Sequence, residues 1–222
     1  MIYTITKSTV FYILLALWTI LLGIILFPYL FLPTNYIYKT ARLWTRGVFF
    51  LLRNICSLNY EVIGEKYLIN NHSKIIASKH QSAFETFLFF YIIPKAVFIH
   101  KYELFFIPIF GWYLKKINML SIDRTAGHKA MRKILNQSQQ KALQGYNLVI
   151  FPEGTRKLPG SKPNYKSGVA GIYKELNSSV LPVSLNSGLF WPKHSFIIKP
   201  GKITVEFLPP IEKGLPKKIF LK

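Results

Sequence analysis

The first part of the chain differs from the rest in its pattern of apolar and polar positions. No charged residue occurs in Ser8–Tyr38, and Thr9–Phe27 is a nearly unbroken apolar run of 19 residues. A helix of that length reaches roughly the ~30 Å of a bilayer core. Pro28 and Pro33 follow the run and end the helix. The pattern predicts an N-terminal membrane helix rather than a cleaved signal peptide, whose apolar core is usually ~7 to 15 residues long.

The next segment, Ala41–Leu58, carries Arg42, Arg46 and Arg53 among large apolar residues. This pattern is typical of a basic amphipathic helix lying in the membrane interface, although a core helix with a basic face has the same pattern. Because the positive charges follow the apolar run, the positive-inside rule places the rest of the chain in the cytoplasm. We predict a membrane anchor at residues 1–58 and a second domain at residues 59–222, which faces the cytoplasm from the inner membrane.

Short apolar runs alternate with helical patterns after residue 58. Several runs are apolar at nearly every position, which is typical of strands buried on both faces. The clearest helical pattern is Ala126–Leu143, with Gly145 placed to end the helix. These patterns predict an α/β fold, a mixed sheet flanked by helices, behind the N-terminal helix or helix pair. The predicted strands are Tyr60–Ile63, Ile75–Ser78, Ala96–Ile99, Leu148–Phe151, Val180–Leu185 and Ile203–Phe207.

The charge balance narrows the range of partners. The chain has 29 Lys and Arg against 9 Asp and Glu, a formal net charge of +20 at pH 7. Nucleic acid, an anionic membrane and a phosphorylated substrate each offer dense negative charge to such a surface. The single cysteine, Cys56, excludes an intrachain disulfide framework and a cysteine-rich zinc module. The motifs must decide among the three kinds of partner.

His80 and Glu85 are the first pair of residues with catalytic potential. They follow the predicted strand Ile75–Ser78 and are five positions apart, so in a continuous helix their side chains would point about 140° apart. The side chains can meet only if His80 precedes the helix. Glu85 can then hold one imidazole nitrogen while the other accepts a proton from a substrate hydroxyl. A structural role is equally open to Glu85, because Ser82 and Glu85 have the spacing of a helix capping box.

Two further motifs place an arginine after a predicted strand or an apolar stretch. One is Ile122–Arg124, with the sequence IDR, and the other is Phe151–Arg156, with the sequence FPEGTR. A guanidinium group binds phosphate through two hydrogen bonds, and glycine lets the backbone approach a ligand closely. Arg124 and Arg156 are therefore candidates for a phosphate site near His80, although a surface salt bridge is the simpler explanation of either arginine alone.

The motifs occur in the order of the four sequence blocks of the glycerolipid acyltransferase family, which includes bacterial lysophosphatidate acyltransferases, and the chain resembles that family. The matching residues are His80 with Glu85, Asp123–Arg124, Phe151–Arg156 and Leu181–Val183. The resemblance covers about residues 61–207, and FPEGTR is its most specific part. Two positions depart from the family pattern, because Lys79 stands where the family usually has Asn and Glu85 where it usually has Asp. The carboxylate is kept and its reach grows by one methylene.

The resemblance implies a role for each matching residue. His80 would be the catalytic base, Glu85 its partner, and the glycerol phosphate moiety would be bound by the second and third blocks. The reaction implied is transfer of a fatty acyl group from acyl-CoA or acyl carrier protein to the sn-2 hydroxyl of lysophosphatidic acid, giving phosphatidic acid in phospholipid biosynthesis. No metal or other cofactor is implied, and the expected partners are an anionic lipid membrane, lysophosphatidic acid and the acyl donor. The substrate-binding residues predicted in this way are Lys79, Arg124, Glu153, Gly154, Thr155 and Arg156.

Other functions explain less of the sequence. Another lysolipid or glycerol 3-phosphate shares the acceptor hydroxyl and stays an alternative acceptor. A non-enzymatic basic protein that binds membranes or nucleic acid explains the charge, but not FPEGTR together with the HxxxxE motif of His80 and Glu85, so no nucleic-acid partner is expected. The chain has no G-x-S-x-G motif of a serine hydrolase and no H-E-x-x-H spacing of a zinc enzyme.

Overall fold

In the computed structural model, a sheet flanked by helices lies beside a pair of long N-terminal helices. The structure describes residues 1–69, 74–122 and 127–221, without the side chain of His128. The helices are α1 Ile2–Ile25, α2 Thr34–Cys56, α3 Glu65–Ile69, α4 Phe84–Ile92, α5 Phe110–Lys116, α6 Gly127–Leu143, α7 Ser167–Leu176 and α8 Lys217–Phe220. The strands are β1 Leu58–Ile63, β2 Ile75–Ser78, β3 Ala96–Lys101, β4 Leu120–Ile122, β5 Asn147–Ile150, β6 Val180–Leu185 and β7 Gly201–Phe207. The predicted α/β fold is confirmed.

The strands form one seven-stranded sheet in the order β1-β7-β6-β2-β5-β3-β4. Strands β6, β2, β5, β3 and β4 run parallel, β1 is parallel to β7, and β6 pairs antiparallel with β7. The carboxyl ends of β2, β5 and β6 therefore meet at one edge. The chain leaves β2 toward β3 on one side and leaves β5 toward β6 on the other. Ligands of open α/β sheets bind at such a reversal of strand order.

The apolar runs form the centre of the sheet. Ile75 and Ile76 of β2 and Leu148 and Val149 of β5 are at most 1% exposed, as expected for parallel strands covered by helices on both faces. The six predicted strands are present, with ends shifted by up to two residues. Strand β4 is not among the six predicted strands, because three residues are too few to show a period.

Helix α6 agrees with the predicted helix, although Ala126 itself lies outside the described residues. Gly145 has a φ of +78° just beyond its end, and the Gly145 N–H donates to the Ala142 carbonyl at 3.0 Å. A residue with a side chain adopts this left-handed backbone only with strain, so the glycine stops the helix.

Pro182 lies inside β6, an interior strand. Its carbonyl accepts a hydrogen bond from the Leu208 N–H at 3.0 Å, and the pairing of β6 with β7 begins one residue later, at Val183. The backbone N and the carbonyl of a strand residue point toward the same neighbouring strand. The Pro182 nitrogen, which carries no hydrogen, therefore points toward β7 like its carbonyl, at a position just outside the paired residues. The proline therefore removes no ladder hydrogen bond, although the strand is not at an edge.

Helices α1 and α2 pack along one another and along the domain. The indole N–H of Trp18 donates to the Trp44 carbonyl, and the indole N–H of Trp44 donates to the Thr19 hydroxyl, both at 3.0 Å. Gly47 makes the close approach possible, since a Cβ there would lie 2.2 Å from Trp18. The two helices form a hairpin held by specific contacts.

One face of α1 is buried and the other is open. Ser8 and Phe11 are fully buried, and the Ser8 hydroxyl accepts from the Ile198 N–H at 2.9 Å. Among the described residues, α1 alone has the length and apolar composition of a membrane-crossing helix, with a mean hydropathy of 2.3 over its most apolar window. The residues of its open stripe are about half exposed or more, and they are Ile13, Leu17, Ile20, Leu21, Ile24 and Ile25.

Candidate active site

The His80 and Glu85 side chains meet at the carboxyl edge of the sheet. His80 follows the end of β2 and Glu85 lies in the first turn of α4, which begins at Phe84. The distance between His80 Nδ1 and Glu85 Oε1 is 2.9 Å. His80 therefore precedes the helix, which is the geometry that the spacing of the pair requires. The imidazole is 18% exposed and the carboxylate is fully buried.

The Glu85 carboxylate accepts hydrogen bonds through both oxygens. Oε1 accepts from the backbone N–H groups of Gln81 at 2.6 Å and Ser82 at 2.7 Å, in addition to the imidazole. Oε2 accepts from the Ser187 hydroxyl at 2.8 Å. A buried carboxylate is stable as an anion only when its oxygens are satisfied in this way.

Glu85 makes both of the contacts that the sequence left open, one with His80 and one with the Ser82 N–H. Its bond from the Ser82 N–H is half of a capping box, and the Ser82 hydroxyl accepts from the Phe84 N–H at 3.2 Å, which satisfies a free donor at the start of α4. Because an ionised carboxylate can only accept, the imidazole hydrogen lies on Nδ1. The other nitrogen, Nε2, is then left as the basic atom, and it can take a proton from a hydroxyl group.

The FPEGTR segment packs directly beneath the histidine. The ring of Phe151 stacks on the His80 imidazole, with a centroid distance of 3.9 Å and an angle of 14° between the planes. The Lys157 N–H donates to the His80 carbonyl at 2.7 Å. The ring and the backbone of His80 are therefore both held by the loop that follows β5.

Glu153 ties the same two loops together by charge. It is 1% exposed, its Oε1 lies 3.5 Å from the Lys79 ammonium, and its Oε2 accepts from the His80 N–H at 3.2 Å. Gly154, with a φ of +66°, turns the chain directly afterwards, and a Cβ there would contact the Lys166 side chain at 3.4 Å. The backbone of the motif is thus shaped around Glu153 and the glycine turn.

Cations border this loop on the solvent side. Thr155 and Arg156 are half-buried, and the Lys193 ammonium lies 3.4 Å from the Thr155 hydroxyl. Within the described residues, Arg156 has no carboxylate in salt-bridge range. Arg124, the other predicted phosphate ligand, lies outside the described residues. The described part of the site therefore offers the cation of Lys79 beside His80 in the chain and the cations of Arg156 and Lys193 in or next to the FPEGTR loop.

An apolar cavity lies against α4. It is enclosed by α1, α2, α4 and α5, and its wall includes Thr86 and Phe87, the two residues that follow Glu85. Residues of the apolar stretch after β3 also line it, among them Ile109, Tyr113 and Leu114. The cavity therefore adjoins the helix turn that carries Glu85.

Three residues of the site were not predicted from the sequence. Phe151 was identified as the end of a buried strand and the first residue of FPEGTR, but its stack on His80 was not predicted. Ser187 is 102 positions from Glu85 and Lys193 is 38 positions from Thr155. A hydroxyl residue shortly after the fourth block was the only available signal for Ser187, and nothing local marks Lys193.

The sheet, the histidine and carboxylate pair and the FPEGTR loop together define an enzyme of acyl transfer, and the chain belongs to the acyltransferase family, whose sequence profile matches residues 59–186. It is 31% identical over 206 residues to a 1-acyl-sn-glycerol-3-phosphate acyltransferase of Pseudomonas aeruginosa, over 91% of this chain and 79% of that protein. It is 32% identical over 145 residues to the protein of the same name from Cocos nucifera, over 64% of this chain and 47% of that protein.

The fold is also similar to that of a solved structure. The 1-acyl-sn-glycerophosphate (LPA) acyltransferase of Thermotoga maritima superposes with a TM-score of 0.75 at 22% sequence identity, covering 95% of this chain and 87% of that one. At this coverage, most of the N-terminal helix pair and most of the α/β domain are superposed. The fold of nearly the whole chain therefore occurs in that solved structure.

Proposed function

We propose that this protein is a membrane-bound 1-acyl-sn-glycerol-3-phosphate acyltransferase. It transfers a fatty acyl group from a thioester of coenzyme A or acyl carrier protein to the sn-2 hydroxyl of lysophosphatidic acid and forms phosphatidic acid. The observation that carries the proposal is the 2.9 Å contact between His80 Nδ1 and the buried Glu85 carboxylate, which leaves Nε2 as a base beside a cation-lined loop.

The proposed reaction needs one base and no protein nucleophile. His80 Nε2 takes the proton of the sn-2 hydroxyl as its oxygen attacks the thioester carbonyl. The new ester C–O bond forms, the C–S bond breaks, and the proton passes from the imidazolium to the leaving thiolate. Glu85 stabilises the imidazolium between these two proton transfers.

The binding residues have separate tasks in this proposal. Arg156 and Lys79 bind the phosphate of the acceptor, with Arg124, and the turn at Gly154 and Thr155 brings backbone close to it. In this proposal Glu153 acts on phosphate binding through Lys79 and the His80 backbone, which its two oxygens contact. The apolar cavity beside Thr86 and Phe87 takes the start of an acyl chain.

The membrane arrangement follows from the two faces of α1. Its open apolar stripe enters the lipid, whereas Ser8 and Phe11 on the opposite face are packed against the domain. The arginines of α2 are exposed, and they bind anionic headgroups. The α/β domain then sits on the cytoplasmic face of the inner membrane, where both substrates can reach His80.

The proposal is tested with the purified protein in detergent and lipid, supplied with acyl-CoA or acyl carrier protein and lysophosphatidic acid. His80→Asn is expected to lower phosphatidic acid formation about 10²- to 10⁴-fold, the usual contribution of a general base. The matched control is His194→Asn, the same change at an exposed histidine with a φ of +63°, a backbone that asparagine tolerates. Equal rates for both variants would remove His80 from the mechanism.

A further inference from the structure

We propose that Ser187 is a positioning residue for the reaction and sets the orientation of the Glu85 carboxylate, and through it that of the His80 imidazole. The inference rests on the proposed function, in which His80 is the base and Glu85 its partner. Ser187 lies in the turn after β6, outside the four motif blocks, and it is fully buried.

The division of hydrogen bonds on the carboxylate is the first observation. Oε1 receives the imidazole and two backbone N–H groups, whereas Oε2 receives the Ser187 hydroxyl at 2.8 Å. The bonds to Oε1 hold one end of the planar carboxylate, and the bond from Ser187 holds the other end. With both oxygens held, rotation of the carboxylate about its bond to Cγ is opposed at each end. Ser187 is the only described residue with a hydrogen bond to Oε2.

The turn that carries Ser187 is itself attached to the histidine segment. The Gly188 N–H donates to the Gln81 side-chain oxygen at 3.0 Å, one residue from His80. A Cβ on Gly188 would lie 2.9 Å from both Gln81 and Pro159, so glycine allows the two segments to touch. The Trp191 N–H donates to the Ser187 carbonyl at 2.9 Å and closes the turn. The hydroxyl is thus presented by a rigid element.

A bond of this kind acts on the chemical step rather than on substrate binding. Catalytic groups must be held within about 0.5 Å of their productive positions by surrounding hydrogen bonds. When the Ser187 hydroxyl is removed, Oε2 is left buried without a donor, and the carboxylate turns away from the plane that aligns the imidazole. Ser187 is fully buried and offers no surface to either substrate, so we expect their binding not to depend on it.

The test is the steady-state kinetics of Ser187→Ala with both substrates varied. We expect kcat to fall about ten-fold, equivalent to about 1.4 kcal/mol of transition-state stabilisation, with both KM values within two-fold of the wild type. Ser187→Cys has nearly the same volume but is a weak donor, and it should show the same loss. Ser138→Ala is the matched control, because Ser138 is also fully buried but its hydroxyl has no hydrogen-bond partner among the described residues.

The outcomes separate this inference from the proposed function. A ten-fold loss in kcat for both Ser187 variants, with melting temperatures close to that of the wild type, supports it. Unchanged kcat, a loss confined to KM, or failure of both variants to fold overturns it. If Ser187→Ala keeps its kcat while His80→Asn is inactive, only the positioning role is wrong. If the wild type forms no phosphatidic acid, the proposed function itself is wrong.

Discussion

Replacing the Glu85 carboxylate by an amide separates its charge from its hydrogen bonds. In Glu85→Gln the amide oxygen can take the place of Oε1 and continue to accept from His80 Nδ1, the Gln81 N–H and the Ser82 N–H. The amide nitrogen then takes the place of Oε2 and donates to the Ser187 oxygen, since a hydroxyl can reverse its role. The substitution can therefore keep these four hydrogen-bonded contacts while it removes the charge.

The size of the effect follows from this geometry. Glu85→Ala would leave the Gln81, Ser82 and Ser187 donors buried without an acceptor, at about 1 to 3 kcal/mol each. The sum is comparable with the stability of a whole domain, about 5 to 15 kcal/mol, so the alanine variant reports mainly on folding. In Glu85→Gln the imidazolium instead loses the negative charge of its partner. With the centres of the two charged groups about 4 Å apart, this attraction is worth about 4 kcal/mol at an effective dielectric constant of ~20. Part of this is lost to solvent, because the imidazole is 18% exposed.

We therefore expect Glu85→Gln to lower kcat about 10²- to 10³-fold with little change in the melting temperature. The rate is measured as phosphatidic acid formed at saturating acyl donor and acceptor, and folding by thermal unfolding of the purified protein. Glu175→Gln makes the same change at an exposed glutamate of α7 and is the control. If Glu85→Gln keeps kcat within three-fold of the wild type, the negative charge is not required, and stabilisation of the imidazolium by Glu85 is refuted.

Two further predictions concern substrate and membrane binding. Arg156→Ala should raise KM for lysophosphatidic acid more than KM for the acyl donor, because a charged hydrogen bond of about 1.5 to 3 kcal/mol is lost. Arg132→Ala, on the exposed face of α6, is the control and should change neither KM. An increase confined to the KM of the acyl donor would count against the phosphate site. The double change Leu17→Asp with Ile24→Asp should release the protein from anionic vesicles in a flotation assay, because two apolar side chains of the α1 stripe no longer enter lipid. Leu143→Asp, at a leucine that is 83% exposed on α6, is the control, and equal flotation of both variants would show that the stripe does not meet the membrane.

The sequence was sufficient where a signal is local. Strands β2 and β6 were predicted to their last residues, because parallel strands buried on both faces are apolar at nearly every position. The contact of His80 with Glu85 could also be predicted from the sequence, because the two residues are five positions apart. The contact depends only on whether the helix begins after His80. The same local reasoning suggested the capping bond of Glu85 to the Ser82 N–H, which is present at 2.7 Å.

Contacts between distant segments could not be predicted in the same way. Ser187 reaches Glu85 only because β6 lies next to β2 in the sheet, and no periodic pattern specifies strand order. The stack of Phe151 on His80 depends likewise on β5 being the other neighbour of β2. Glu153 was predicted as a binding residue, and nothing in the sequence indicated its contacts within the protein. Its Oε1 faces the Lys79 ammonium and its Oε2 faces the His80 N–H.

The most direct test of catalysis by His80 compares thiol release with phosphatidic acid formation in one reaction of the purified protein. With acyl-CoA, or the acyl carrier protein thioester if that is the donor, and lysophosphatidic acid, we predict one thiol released for each phosphatidic acid formed. Little thiol should be released when the acceptor is omitted, and both signals should be lost together in His80→Asn. Thiol release that does not depend on the acceptor, or that persists in His80→Asn, would contradict direct acyl transfer to a hydroxyl activated by His80.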